Sequence, residues 1–266
     1  MFEQLDLKLF FDKLYSKFNS KDYLESDPLS LVYKYNDNKE FVAFITALFS
    51  YGRVSNIINF LNKLFANIGT NPLYLSTEHL NLYYRFQKNI DLKVLFSLVK
   101  SIYLEAGSLE NFLLKLSKNL DEACYKFFLY AHNFGRENCA GNGFYFLFPI
   151  DKIVVSKRLN LFLRWMVRAD DVDLGLWKHF NSQDLKIPLD THILNFAIAQ
   201  KLIKNKQNNR NNVIKVTDFF KQVNSYDPVK YDFAITRLGM LNNCIYRKTQ
   251  RCEYCSFLCS CPFCRT

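Results

Sequence analysis

Three groups of residues in this chain have the types and spacing for chemistry. Six of the eight cysteines lie in the last 23 residues, at Cys244, Cys252, Cys255, Cys259, Cys261 and Cys264. The opening residues MFEQLDLKLFFDK are broken by charges and form no signal-peptide core. In such a chain dense thiols read as metal ligands and not as disulfides. Four thiolates suit a [4Fe–4S] cluster or Zn2+. Cys252, Cys255, Cys261 and Cys264 make two Cys-x-x-Cys pairs fit for Zn2+, on a five-residue connector that is tight for a zinc ribbon. Asp190 follows Pro188 and Leu189 and precedes a periodic run. That is a helix N-cap position, where a carboxylate satisfies free backbone N–H groups and most often does nothing else. Lys157 stands in the opening turn of an apolar helical segment, SKRLNLFLRWMVR. The plain reading of such a lysine is a solvated helix start.

Charge narrows the class of partner. The net charge of +10 is uneven: residues 201–266 hold twelve Lys and Arg against four acids, so +8 sits in the last quarter. A basic end of this kind is the footprint of a nucleic-acid binder or, more plainly, a solvated lysine-rich surface. The longest largely apolar stretch, 41–49, has nine residues, too few to span a bilayer. With 8 Gly and 6 Pro, β-sandwich and collagen-like architectures are disfavoured. These features lead us to expect a cytoplasmic globular protein.

The elements that must position these groups read as helices. Apolar residues recur at helical spacing over 38–49, 55–68, 92–104, 109–130, 153–168, 191–204, 213–223 and 228–241. Ser55 is the expected N-cap of the second segment, and Gly69 its terminator. Breaks are expected at 135–143, 169–173 and the polar run 205–212. Alternating strand patterns are nearly absent. The chain reads as all-α.

The string Pro-Leu-Asp-Thr-His at 188–192, ahead of an amphipathic helix, resembles the Val-Asp-Thr-His segment of helix-hairpin-helix DNA glycosylases, the endonuclease III superfamily. That aspartate is the superfamily's catalytic carboxylate, which implies this role for Asp190. In bifunctional members the preceding helix starts with the catalytic lysine, in Lys-Thr-Ala-Asn-Val-Val-Leu. Here Lys157-Arg158-Leu159-Asn160-Leu161-Phe162-Leu163 stands in its place. The gap from Lys157 to Asp190 looks closer to that of the archaeal 8-oxoguanine glycosylases. Residues 40–65 resemble the superfamily's early helix pair, whose loop inserts side chains into DNA; the corresponding roles fall to Tyr51 or Arg53. Residues 238–261 resemble the iron–sulfur loop of endonuclease III, with Cys244, Cys252, Cys255 and Cys261 in ligand order and one residue inserted in the first gap. Arg247 and Lys248 lie inside that gap, as basic residues do in the family. The strings FLRWMVR, PLDTH and DPVKYDFA also resemble an uncharacterised bacterial family related to these glycosylases. One departure stands out: the Gly-rich hairpin that normally precedes the lysine is absent from 148–156, so a phosphate anchor there would be made differently, with Ser156.

The resemblance implies two helical subdomains flanking a DNA-binding groove, built from residues 1–243 with both chain ends in one subdomain and the middle in the other. A Cys-rich metal loop, 244–266, completes the chain. It implies a monomeric, nucleoid-associated DNA glycosylase with AP lyase activity, acting on double-stranded DNA and excising an oxidised base, 8-oxoguanine by analogy. Lys157 would attack C1′ as a neutral amine, a state favoured by burial and by a nearby cation such as Arg158. Asp190 would stabilise the charge developing on the sugar, and His192 would cap or orient it. Tyr51, Phe144, Tyr145, Phe146, Trp165 and Trp177 are the candidates for stacking on the extruded base. Arg164 and Arg168, one turn apart, would contact phosphate or form a surface salt bridge. The competing reading is a non-catalytic, metal-containing nucleic-acid-binding protein on the same scaffold. A third is a module whose Cys tail docks a protein partner.

Overall fold

The structure, a computed structural model, describes residues 4–150, 156–241, 244–246 and 261. Among the described residues there are twelve α-helices and no strand; the only pairings of extended chain are isolated bridges at Tyr84–Gln87 and Ala169–Leu174. The fold class is all-α. No helix among the described residues is long and apolar enough to cross a membrane.

The chain divides into two units: Met1–Tyr23, Leu163–Gly175 and Asn181–Thr266 form the first, and Leu24–Phe162 with Leu176–Phe180 the second.

The second unit contains α2 (Ser30–Lys34), α3 (Lys39–Leu48), α4 (Val54–Ile68), α5 (Asn89–Ala106), α6 (Leu109–Leu116), α7 (Leu120–Glu137), α8 (Asn142–Leu147) and the opening of α9 (Lys157–Val167). Every residue of α3 from Phe41 to Leu48 is buried, as expected of a helix that is apolar all round. The Asn38 side chain caps its first turn by accepting from the Phe41 N–H at 2.8 Å. Helix α4 begins one residue before the expected cap Ser55, with Arg53 at the N-cap and Gly69 ending it at φ 82°. The periodic stretch 109–130 is two helices and not one. Ser117 turns extended after α6, and the Asn119 side chain caps α7 by accepting from the Glu122 N–H. Helical periodicity passes through such a break unmarked, because capping residues also fit the polar face.

Glu40 ties this unit together. Its carboxylate accepts from Trp177 Nε1 at 2.6 Å, the Tyr103 hydroxyl at 2.5 Å, and the backbone N–H groups of Leu109 (2.9 Å) and Glu110 (3.1 Å). It thereby closes the start of α6 and pins the returning segment Leu176–Phe180. Burial and the Glu40 charge push the Tyr103 hydroxyl pKa far upward. Trp177 is therefore a packed, hydrogen-bonded residue against Phe162.

The first unit holds α1 (Gln4–Phe18), the rest of α9, α10 (Thr191–Ala199), α11 (Arg210–Val223) and α12 (Asp232–Leu241). Helix α1 packs on α11 and α12, and α10 on α12. Phe11, fully buried on α1, stacks on Tyr231 (centroids 5.2 Å apart) and meets the rings of Phe196 and Phe220 edge-on. A ring so buried contributes roughly 1.5–3 kcal/mol from area alone. Helix α10 ends five residues before the expected limit: Gln200 is its C-cap, and Lys201 adopts a left-handed φ of 57°. Tyr246 is buried in this unit, donating its hydroxyl to the Ile235 carbonyl at 2.9 Å while Gln200 Nε2 donates to its own carbonyl at 2.7 Å.

Candidate active site

Asp190 is positioned from both sides by ordinary folding forces. Buried Leu185, Ile187 and Leu189 anchor the chain leading into it, and the Ile187 N–H donates to the Thr217 hydroxyl at 3.2 Å. Asp190 then takes the extended N-cap conformation of α10, and its Oδ1 accepts from the Ile193 N–H at 2.8 Å. Its Oδ2 accepts from the Thr236 hydroxyl of α12 at 3.2 Å. The carboxylate is half-buried and fixed in orientation. His192, two residues on, is also half-buried and lies against α12. It can approach because Gly239 has no side chain: a β-carbon there would collide with His192 Nδ1 and the Tyr246 hydroxyl.

Beneath Asp190 lies a buried ion network that the sequence reading did not foresee. Arg164 Nε donates to Asp173 Oδ1 at 3.2 Å, and its Nη1 pairs with Asp232 Oδ2. Arg168 pairs with Asp170 and Asp227, each at 2.8 Å, and with Asp173. Neither arginine is a surface salt bridge, since both are almost wholly buried. Nor does either present a free guanidinium to phosphate. Two cations face four carboxylates, so burial outweighs pairing at the deepest acids. Asp173 is pushed up by burial against the pull of both arginines. Asp232 is pushed up to about 7 by burial, against the pull of Arg164 and helped by the Asp190 charge. Its Oδ1 has no hydrogen-bond partner among the described residues. The one trace of this network in the sequence was the i,i+4 spacing of the two arginines.

Lys157 is the first residue of α9 and half-buried. Ser156 before it is buried and caps the helix, its hydroxyl oxygen facing the Leu159 N–H at 3.4 Å and its carbonyl accepting from Asn160 at 2.9 Å. Ser156 is thus oriented by helix capping; 151–155 of the segment taking the hairpin's place lie outside the described residues. Arg158 folds back into the second unit. Its Nη1 donates to the Leu48 carbonyl at 3.2 Å and its Nη2 to the Phe146 carbonyl at 2.5 Å, with the guanidinium 5.3 Å from the Tyr51 ring centroid. Burial lowers its pKa to about 10. The structure therefore brings Arg158 and Tyr51 together. Tyr51 in turn donates its hydroxyl to Gln87 Oε1, and burial raises its pKa. Arg53 is exposed at the start of α4.

Trp165 departs from expectation: it is fully buried in the first unit and offers no face for stacking. Phe144 is likewise core. Arg247, Lys248, Cys252, Cys255 and Cys264 lie outside the described residues. Cys244 is half-buried, with the Tyr246 N–H 3.4 Å from its sulfur, and Cys261 is buried. Among the described residues no group of three or more His, Cys, Asp or Glu is placed to hold a metal.

Residues 27–241 match the family described as "Protein of unknown function (DUF2400)", and the chain belongs to it. The matched span runs from before α2 to the end of α12 and includes both Lys157 and Asp190. No curated protein and no solved structure matches the chain.

Proposed function

We propose that this protein is a DNA glycosylase with AP lyase activity, its two helical units flanking a DNA-binding groove and its substrate a duplex carrying an oxidised base, 8-oxoguanine first among the candidates. Lys157 attacks C1′ through its neutral amine, and the base departs with the electrons of the N-glycosidic bond. The nitrogen then loses its proton and the C1′–O4′ bond opens, leaving a hydroxyl on C4′ and a Schiff base at C1′, which loses the 3′ phosphate by β-elimination and so cuts the strand. Asp190 stabilises the positive charge that builds on the sugar as the bond breaks, an effect that is large where water is excluded. Tyr51, Arg53 and Arg158 contact the opened duplex, and His192 holds Asp190.

The observation that supports this reading is the state of the acid. A carboxylate held by one backbone N–H and one hydroxyl, half-buried and still accessible, is what charge stabilisation needs. Cys244, Cys252, Cys255 and Cys261 would hold a [4Fe–4S] cluster, with Zn2+ on Cys252, Cys255, Cys261 and Cys264 as the other choice. Of these ligands Cys244 and Cys261 are among the described residues, and the Cys244 sulfur accepts from the Tyr246 N–H, a kind of donor that ligating thiolates accept. Such a group would supply structure only, closing a loop from which Arg247 and Lys248 could meet phosphate.

A second reading draws on the same carboxylate. Both its oxygens already have donors, which also suits a plain N-cap in a non-catalytic nucleic-acid-binding protein. Base release and strand incision on duplexes carrying 8-oxoguanine, other oxidised bases or an abasic site decide between them. The glycosylase reading expects cleavage of at least one duplex and its loss in Asp190→Asn with binding retained. Salt-sensitive binding without any cleavage across the series would leave the second reading standing.

A further inference from the structure

Beside Tyr51 and Arg158, the second unit carries an aromatic and cationic surface whose Arg85, Phe86 and Phe146 have no part in the reaction proposed above. The turn Tyr83–Gln87 is closed by reciprocal backbone hydrogen bonds between Tyr84 and Gln87 at 3.1 and 2.9 Å. Arg85 at its tip adopts a left-handed φ of 50°, which brings its guanidinium 5.5 Å from the Tyr51 ring and 5.6 Å from the Phe86 ring. Phe86 lies nearly parallel to Tyr51, at 10°, and 4.7 Å from Phe146. The guanidinium of Arg158 is 4.6 Å from the Phe146 ring on the side of the helix start.

This assembly is rigid beneath and open above. Gln87 is fully buried, accepts the Tyr51 hydroxyl and donates to the Gly143 carbonyl at 2.8 Å, while the Tyr84 hydroxyl donates to the Tyr51 carbonyl at 2.7 Å. Yet Phe86 is 51% exposed, Phe146 39% and Tyr83 66%, although burying them would be favourable. Gly52, at φ 105°, leaves room for the Arg85 head group, since a β-carbon there would come within 2.6 Å of Nη1. Among the described residues no carboxylate pairs with Arg85 or Arg158, and Arg85 is exposed beside the rings.

Exposed rings on a fixed base, edged by the exposed guanidinium of Arg85, match a planar ligand that carries negative charge. We propose that the turn Tyr83–Gln87, with Phe146, is a binding platform for an unpaired nucleotide of a single-stranded stretch of nucleic acid: the base stacks on Phe86 with the Phe146 ring, tilted 52° to it, at its edge, and Arg85 meets the neighbouring phosphate. This rests on the nucleic-acid reading above but not on its chemistry, because neither Lys157 nor Asp190 belongs to the platform.

The test is fluorescence anisotropy of a labelled oligothymidylate with the full chain across a salt series. Phe86→Ala should weaken binding by about tenfold or more, the usual range for losing one base–aromatic stack. Phe86→Trp should bind as the unchanged chain does, with its indole emission quenched on binding. Arg85→Gln should reduce the slope of log affinity against log salt by about 0.7, one phosphate contact on a single strand. The platform is overturned if Phe86→Ala, with an unchanged melting temperature, binds as tightly as the original chain. It is equally overturned if the original chain binds no single strand. Retained binding with no cleavage of any duplex would sink the glycosylase and leave the platform, whereas cleavage that survives Phe86→Ala with no change in strand affinity would do the reverse.

Discussion

Replacing Arg164 by Met keeps the length and apolar stem of the side chain and removes the charge. The consequence can be worked from its neighbours. Arg164 is 3% exposed; it bonds Asp173 and pairs with Asp232, both of which are buried. Removing one member of a buried ion pair costs about 3–5 kcal/mol, since the other is left in low dielectric. For a chain of this size that lowers the melting temperature by roughly 10 °C. The pH dependence distinguishes this network from generic packing. In the native chain Asp232 titrates near 7, against 3.8 for an ordinary aspartate. The folded state therefore holds a proton that the unfolded chain releases. The stability this group contributes is fully present below about pH 4 and is lost as pH rises through 7. Without Arg164 both acids are pushed further up, so the loss continues above pH 7. Urea unfolding followed by circular dichroism at pH 5, 7 and 8 should give a destabilisation that grows with pH. A variant that loses the same free energy at pH 5 and pH 8, or loses less than about 1 kcal/mol at pH 8, refutes the reasoning.

Three further outcomes are expected. Asp190→Ser keeps a good N-cap and should change the melting temperature by only a degree or two, while strand incision on a lesion duplex is abolished and Asp232, freed of a neighbouring charge, titrates lower in a carbonyl-resolved NMR experiment. Glu40→Gln turns an amide NH2 toward donors and should cost about 2–4 kcal/mol in urea unfolding, with a shift in Trp177 emission as its Nε1 partner is lost. Gly239→Ala forces a methyl against His192 and Tyr246 and should cost about 1–3 kcal/mol by the same measurement, where an unchanged midpoint would show that these rings are not packed on α12.

Much of the helical framework was legible because amphipathic spacing and caps are local properties. Asn38, Gly69 and Asp190 mark helix ends in the structure as their types suggest. Helices α1, α2 and α8 escaped notice: α1 lies in the charge-broken opening of the sequence, and α2 and α8 span five and six residues. The break between α6 and α7 was hidden because Ser117 and Asn119 are as acceptable on a polar face as at a cap. The ion network was illegible for a different reason. Arg164 and Arg168 find Asp227 and Asp232 about sixty residues away, and pairing at that range follows from tertiary packing alone. Trp165 carries the same lesson in reverse, since an aromatic on an amphipathic helix reads alike whether it faces a ligand or the core. The Arg85–Phe86 turn lay in a stretch with no periodicity to attract attention, and its significance comes from rings contributed by α8 and the α3–α4 loop.

The central claim is that the Lys157 amine becomes covalently joined to deoxyribose. Borohydride reduction during reaction with an 8-oxoguanine duplex, followed by proteolysis and mass spectrometry of the trapped complex, reads that bond directly. The account expects one reduced sugar adduct, carried on the peptide containing Lys157 and absent from Lys157→Ala. An adduct on any other lysine, or one that persists undiminished in Lys157→Ala, would contradict it.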